Sequence, residues 1–499
     1  MSSFVLWVLL LAIWCIVLFF GHSIGISAVL FLVPLMIYEY FLLKKNKKIE
    51  SKLGLTFMIP ILLLSITYLI FNNSDFAFLN ILAIIVLFSL LFNFTMCPTH
   101  KLSELFDNVM SAIFEPLGNI GKFFRISTSK IGSKIKLGPK GKKVLKALVI
   151  VIPIVLFIIA LLSSADMIFG QVFKSIWKSI CKFLELELFD DIFGRIITFI
   201  LIFFALGCSS LYLMYDFPKA KKVVKEESKS KDLFTLKMLF VVLNVIYIIF
   251  DFIQIKSLLL HRVATGFNYA TYARQGFFQL MVVSVINIAI ILISKKFEKK
   301  DNKKDFKFIK IMSLVMVLLT IVIIVSSFYR MNLYEAAYGY TTLRLLVYIA
   351  LTTETILMIP TVMYIFNSDF NIVSSYILIL LVAYMFANFI NIDYLIARRN
   401  VDRFYSTNKL DVYYLQNDGT DNIPVLVELY NKTDNPYIKQ SLSDYFRNIL
   451  SSSETDSIFE YNISKSRAIK LIKGVELLED KREDVNSFVE LDERLFEIK

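Results

Sequence analysis

Apolar runs close to the length that crosses a bilayer as a helix alternate with short polar turns or lysine-rich stretches from Phe4 to Ile390. The pattern predicts eleven spans, at about 4–20, 26–43, 55–71, 77–96, 147–164, 196–215, 238–260, 277–294, 311–328, 345–366 and 372–390. From Asn391 hydropathy falls to soluble values. There 410–429, 437–450 and 464–478 carry apolar residues at three- and four-residue spacing, the period of short amphipathic helices. The expected fold is therefore all-α: a polytopic membrane helix bundle of about eleven transmembrane helices, with a small α-helical carboxyl-terminal soluble region.

Four regions follow from this reading. Residues 1–96 form four spans in two hairpins, and residues 97–146 a basic amphipathic cytoplasmic segment whose piece Leu102 to Phe124 lies on the inner leaflet. Residues 147–390 supply seven spans and an external interfacial segment at 165–195. Residues 391–499 are the soluble helical region. Met1 to Phe20 lacks a basic start and a small-residue cleavage pattern, so it reads as a retained helix.

Charge sets the threading. Lys44, Lys45, Lys47 and Lys48, and the lysine-rich segments 97–146, 216–237 and 295–310, belong on the cytoplasmic side, whereas the turn Asn72 to Asp75 carries no basic residue. An even alternation puts the amino terminus inside, and the odd number of spans puts the carboxyl terminus outside. The expected location is a plasma membrane, crossed many times. From Asn391 onward there are 15 Lys/Arg against 20 Asp/Glu, a net of −5, so the +12 of the whole chain leaves +17 for residues 1–390. That excess points to anionic lipid at the cytoplasmic face and away from nucleic acid.

Composition agrees, with 57% hydrophobic and only 19% charged residues. Four separated cysteines and three histidines form no disulfide framework and no zinc spacing, so neither a metal nor another cofactor is expected. No G-x-x-x-x-G-K-[ST] or H-E-x-x-H pattern is present.

Ionisable groups at bilayer depth are costly unless they face protein or water. On the seventh span Asn244, Tyr247, Asp251 and Gln254 fall within about 80° of arc, and Gln279 and Asn287 share one broad side of the eighth. On the tenth, Thr341, Tyr348, Thr352 and Thr355 flank Arg344 on one side and Glu354 lies on the other. Asn244, Tyr247, Asp251, Gln254, Gln279, Tyr348 and Glu354 therefore form a candidate polar cavity. Arg274, Arg330, Arg344, Arg398, Arg399 and Arg403, with Glu335, gather at the outer face. There they either clamp an anionic small molecule or lipid or fasten the tail to the helices. The expected charged turn between spans nine and ten runs from Tyr329 to Arg344.

The stretches Y-A-R-Q-G-F-F-Q-L (272–280), Y-R-M-N-L-Y-E-A-A-Y-G-Y-T-T-L-R (329–344) and N-I-D-Y-L-I-A-R-R-N-V-D-R-F (391–404) resemble the bacterial membrane proteins of domain-of-unknown-function family 4173, a relative of family 4153. K-L-D-V-Y-Y-L (409–415), I-P-V-L (423–426) and Y-N-I-S-K-S-R-A (461–468) extend the resemblance. Tyr340 and Ile392 depart from that pattern, where leucine and proline are expected. The resemblance implies a polytopic membrane fold with a helical carboxyl-terminal region and supplies no activity. Three functions fit the chain: a transporter- or flippase-like protein with an outward-facing basic vestibule, a membrane-anchored sensor or structural subunit whose tail binds a partner, and a membrane enzyme acting on lipid-linked substrates.

Overall fold

The computed structural model describes residues 2–96, 102–128, 190–217, 233–260, 277–295, 303–367, 369–417, 419–453 and 457–478. The fifth expected span, most of the external segment 165–195 and Arg274 lie outside the described residues. Every regular element among the described residues is helical. Among the described residues seven helices are long and apolar enough to cross a membrane, and two shorter apolar helices join them. This is an all-α, multi-pass membrane protein.

The chain divides into two compact units, residues 1–69, 78–227 and 458–460 forming the first and residues 70–77, 228–457 and 461–499 the second. The first unit contains α1 (Ser2–Phe19), α2 (Ile26–Lys45) and most of α3 (Met58–Ile70) and α4 (Ser74–Met96). Asn80 donates to Thr67 at 3.1 Å, tying α4 to α3. Gly54, in the short 3-10 turn before α3, lies against the end of α4. A Cβ there would run into Thr95, whose carbonyl accepts from Glu50 and Ser51 at 2.9 and 3.0 Å.

The amphipathic piece divides into α5 (Leu102–Phe114), a 3-10 turn and α6 (Ile120–Thr128). It is tied into the unit through Phe123, which is fully buried among Phe4, Phe203 and Phe204. Gly207 on α7 (Asp190–Leu211) leaves the room, because any Cβ there would collide with the Phe123 ring. Lys122 then reaches Asp216 at 2.9 Å.

The second unit contains α8 (Leu233–Leu260), α9 (Phe277–Ser294), α10 (Lys303–Tyr338), α11 (Thr342–Phe366) and α12 (Ile372–Phe389). The largest difference from the sequence expectation is α10. It continues ten residues past the expected stop near Phe328, and the charged turn shrinks to residues 339–341. Hydropathy ends at Phe328, but Tyr329–Tyr338 holds no glycine or proline, so the backbone has no reason to leave the helix. Gly339 ends it. Its φ of +81° suits a left-handed cap, and its N–H bonds the Glu335 carbonyl at 2.7 Å.

The tail forms α13 (Ile392–Thr407), α14 (Val412–Gln416), α15 (Ile423–Lys432), α16 (Pro436–Ser453) and α17 (Ile463–Ile472). The expected helix at 410–429 is thus two helices, and α13 adds one over a stretch that hydropathy alone leaves unassigned. Asn391 caps α13, accepting from the Tyr394 N–H at 3.2 Å. Ile396, Leu415, Leu426, Leu442, Phe446 and Ile472 bury completely in one core.

That core seats the turn 70–77. Asp421 accepts from the Asn72 N–H at 2.8 Å, Asp393 from Asn73 Nδ2 at 2.6 Å, and the Phe71 carbonyl from Asn462 at 2.7 Å. Gly419, at φ +84°, lets the Asn72 carbonyl approach where a side chain would block it.

Candidate functional site

Each of α8, α9, α10 and α11 is apolar for most of its length, and each carries a few small polar groups that find one another. Tyr247 on α8 donates to Asn287 Oδ1 on α9 at 2.8 Å, and Asn287 Nδ2 donates to Thr320 on α10 at 3.0 Å. Asn244 donates to the Met312 carbonyl at 3.1 Å, and Ser284 on α9 donates to the Glu354 carboxylate on α11. Asn244, Asp251, Ser284, Asn287, Thr320 and Glu354 are all buried. In a bundle where lipid offers no partner, such bonds fix helices against one another.

Several contacts set the directions. Phe328 stacks on Tyr348 and Arg344 lies over Tyr334, so α11 runs antiparallel to α10. Ser284 meets Glu354 and Lys295 meets the Ile365 carbonyl, so α9 runs parallel to α11. Lys237 lies over Phe308 and Asn244 meets Met312, so α8 runs parallel to α10.

Counting along α10 from these contacts, Glu354 and Ser284 stand abreast of Val322 and Ile323, and Asp251 abreast of residues 319–322. The two acids therefore lie at the same depth to within about one helical turn, ~5 Å. Their circumstances differ. Glu354 is held by Ser284, whereas Asp251 is 4% exposed and, among the described residues, neither of its carboxylate oxygens has a hydrogen-bond partner.

The other expected polar positions scatter. Gln279 is exposed near the start of α9, and Gln254 lies in the part of α8 whose side chains are not described. Tyr348 is half-buried. Thr352 and Thr355 are exposed and return their hydroxyls to their own helix, at the Tyr348 and Leu351 carbonyls, both at 2.8 Å. That local bond is why threonine is tolerated on a lipid-facing surface.

The arginines are mostly engaged with protein. Arg344 donates to the Gly339 carbonyl and covers the Tyr334 ring at 4.2 Å, neutralising the carboxyl end of α10. Arg403 donates to the Ala337 carbonyl at 2.9 Å, and Arg398 pairs with Glu428 at 2.8 Å and Asp402 at 3.4 Å. Arg330 is buried. Asn400, between them on α13, brackets the backbone of Tyr340. Near this turn Glu335 approaches the Tyr340 hydroxyl. Burial first, and then that carboxylate, raise the Tyr340 pKa, while Arg399 acts in the opposite sense. Arg399 itself is exposed.

Ser284 and Thr320 escape a search for charged residues because hydroxyls are common and weak signals in apolar helices. Glu39 is a third case: it is buried in α2 of the first unit, with one carboxylate oxygen unpartnered. A lone acid inside an apolar run is its sequence signal, masked by the lysines that follow at once. Among the described residues no cluster of three or more histidine, cysteine or acidic side chains is placed to hold a metal.

No curated protein and no solved structure matches this chain. Residues 58–429 match the family described as "Domain of unknown function (DUF4153)". The family shown is thus 4153, the relative of the resembled family 4173. Covering most of the spans and the start of the tail, it establishes that this multi-pass membrane protein belongs to the DUF4153 family.

Proposed function

We propose that the protein is a transporter- or flippase-like carrier of the bacterial plasma membrane in which Asp251 and Glu354 exchange a proton or small cation at mid-bundle. The observation that carries this reading is Asp251, buried and, among the described residues, with both oxygens unpartnered at the depth of the Ser284-bound Glu354. A carboxylate kept at such depth without a partner is destabilising, and ionisable groups of this kind mark ion and substrate pathways. The lysine-rich connections favour a cytoplasmic amino terminus, anionic lipid at that face, and an extracytoplasmic tail.

The test is ion flux in liposomes holding a pH-sensitive dye, driven by a potassium diffusion potential. The intact protein admits protons or cations above the empty-vesicle rate, Asp251→Asn abolishes this, and Glu354→Gln reduces it, with both variants eluting as folded protein. Flux equal to empty vesicles, or unchanged in Asp251→Asn, overturns the reading.

A second reading, a membrane-anchored sensor or structural subunit whose tail binds a partner, draws on the tail's own core of five helices. It requires that deletion of 405–499 abolish cellular function while Asp251→Asn leaves it intact.

A further inference from the structure

A groove of about 600 Å³ runs between α11 and α12 and is closed at one end by the first turn of α13. Its walls are almost wholly hydrocarbon, including Ile349, Val382, Ala383, Phe386 and Leu395. Its two threonine hydroxyls are already spent on their own helix, Thr352 on the Tyr348 carbonyl and Thr353 on the Ile349 carbonyl. The one further hydroxyl among its lining residues, that of Tyr348, is engaged with Glu335, so a polar solute finds little to bond there, and the volume is that of a small-molecule site.

The closed end is different. Ile392 and Leu395 of α13 line it, and Arg399 follows on the same helical face, within about 60° of both. Arg399 is exposed and, among the described residues, makes no hydrogen bond or ion pair. Glu335 is joined to the groove by hydrogen bonds with the hydroxyls of Tyr340 and of Tyr348, the latter a lining residue. A cation and an anion thus sit together above a hydrocarbon slot at the end of two membrane helices.

We propose that this groove is a phospholipid site, with one acyl chain between α11 and α12, the phosphate on Arg399 and a headgroup ammonium at Glu335. The paired charges select an aminophospholipid over an anionic one, because a phosphate without an ammonium leaves Glu335 facing like charge. The site stands apart from the Asp251–Glu354 layer and does not depend on it.

The test is native mass spectrometry of the full-length protein in detergent, titrated with phosphatidylethanolamine, phosphatidylglycerol or phosphatidylcholine of identical chains. Phosphatidylethanolamine should bind with one-to-one stoichiometry. Loss of one charge-assisted contact in Arg399→Ala should weaken it about tenfold. Glu335→Gln should erase the preference over phosphatidylglycerol, and Ala383→Phe, which fills the slot, should abolish binding while elution and helicity stay unchanged. Equal binding of the three lipids, or binding indifferent to both Arg399→Ala and Ala383→Phe, means annular lipid only and overturns the proposal.

Discussion

Asn400 and Tyr340 exchange two hydrogen bonds, the Asn400 amide nitrogen donating to the Tyr340 carbonyl and its oxygen accepting from the Tyr340 N–H, each at 2.9 Å. One side chain thereby satisfies both backbone groups of a residue at the α10–α11 turn. The first helix of the tail grips that turn by its main chain, so the grip does not depend on what side chain position 340 carries. Asn400→Ala leaves both groups without their partner and should destabilise the second unit by about 1–3 kcal/mol. Thermal unfolding in detergent measures this, and Asn400→Asp, which keeps the acceptor and loses the donor, should fall between.

Gly339 offers a second handle on the same junction. A Cβ there would sit 2.6 Å from Asn400 Oδ1, on a backbone already at φ +81°. Gly339→Ala should therefore cost about 1–2 kcal/mol from the left-handed conformation alone, and more if Asn400 is displaced. Its effect and that of Asn400→Ala should be less than additive, which a double-mutant cycle would reveal.

Asp421 predicts a pH dependence. Burial raises its pKa above the ordinary aspartate value, opposed by the Ser464 and Asn72 hydrogen bonds. The folded state thus prefers the protonated acid, so its stabilising contribution is complete below the unfolded pKa and is lost as pH rises through the folded one. Protection of the 70–77 turn from proteolysis should be greater in mild acid than at neutral pH. Asp421→Asn should flatten that dependence, and an unchanged profile would show that Asp421 is not its source.

Asp251 should trade stability against activity. Replacing an unpartnered buried carboxylate with leucine removes a desolvation penalty of about 1–3 kcal/mol, so Asp251→Leu should raise the melting temperature in detergent even as it abolishes ion flux. A lower melting temperature would mean that the carboxylate makes bonds in the bilayer that hold the bundle together.

Arg398 is the contrasting case. Its pairs with Glu428 and Asp402 are exposed, and exposed pairs are screened by solvent and salt. Arg398→Ala should leave the melting temperature unmoved at moderate salt.

The spans were legible because burial in lipid demands long apolar runs. The stripe Asn244, Tyr247 and Asp251 was legible because three polar residues at helical spacing are rare in such a run. Its partners on other helices were not, since a serine such as Ser284 reads the same whether it bonds its own Met281 carbonyl or a carboxylate across the bundle, and here its Oγ lies within hydrogen-bond distance of both. The overrun of α10 was missed for a related reason: hydropathy reports where a helix leaves hydrocarbon, and only Gly339 reports where it stops. The grip of Asn400 on Tyr340 has no local signature, because its two halves lie 60 residues apart.

The seating of residues 70–77 against the tail joins positions 349 and 391 apart in the chain. On the ribosome, the Asn72–Asn73 loop emerges hundreds of residues before Asp421 and Asn462, so those bonds cannot form in the interval. This face is consequently among the last parts of the molecule to be completed. A chain that stops early would be left displaying a bare loop, a mark by which proteases could distinguish unfinished copies from mature ones.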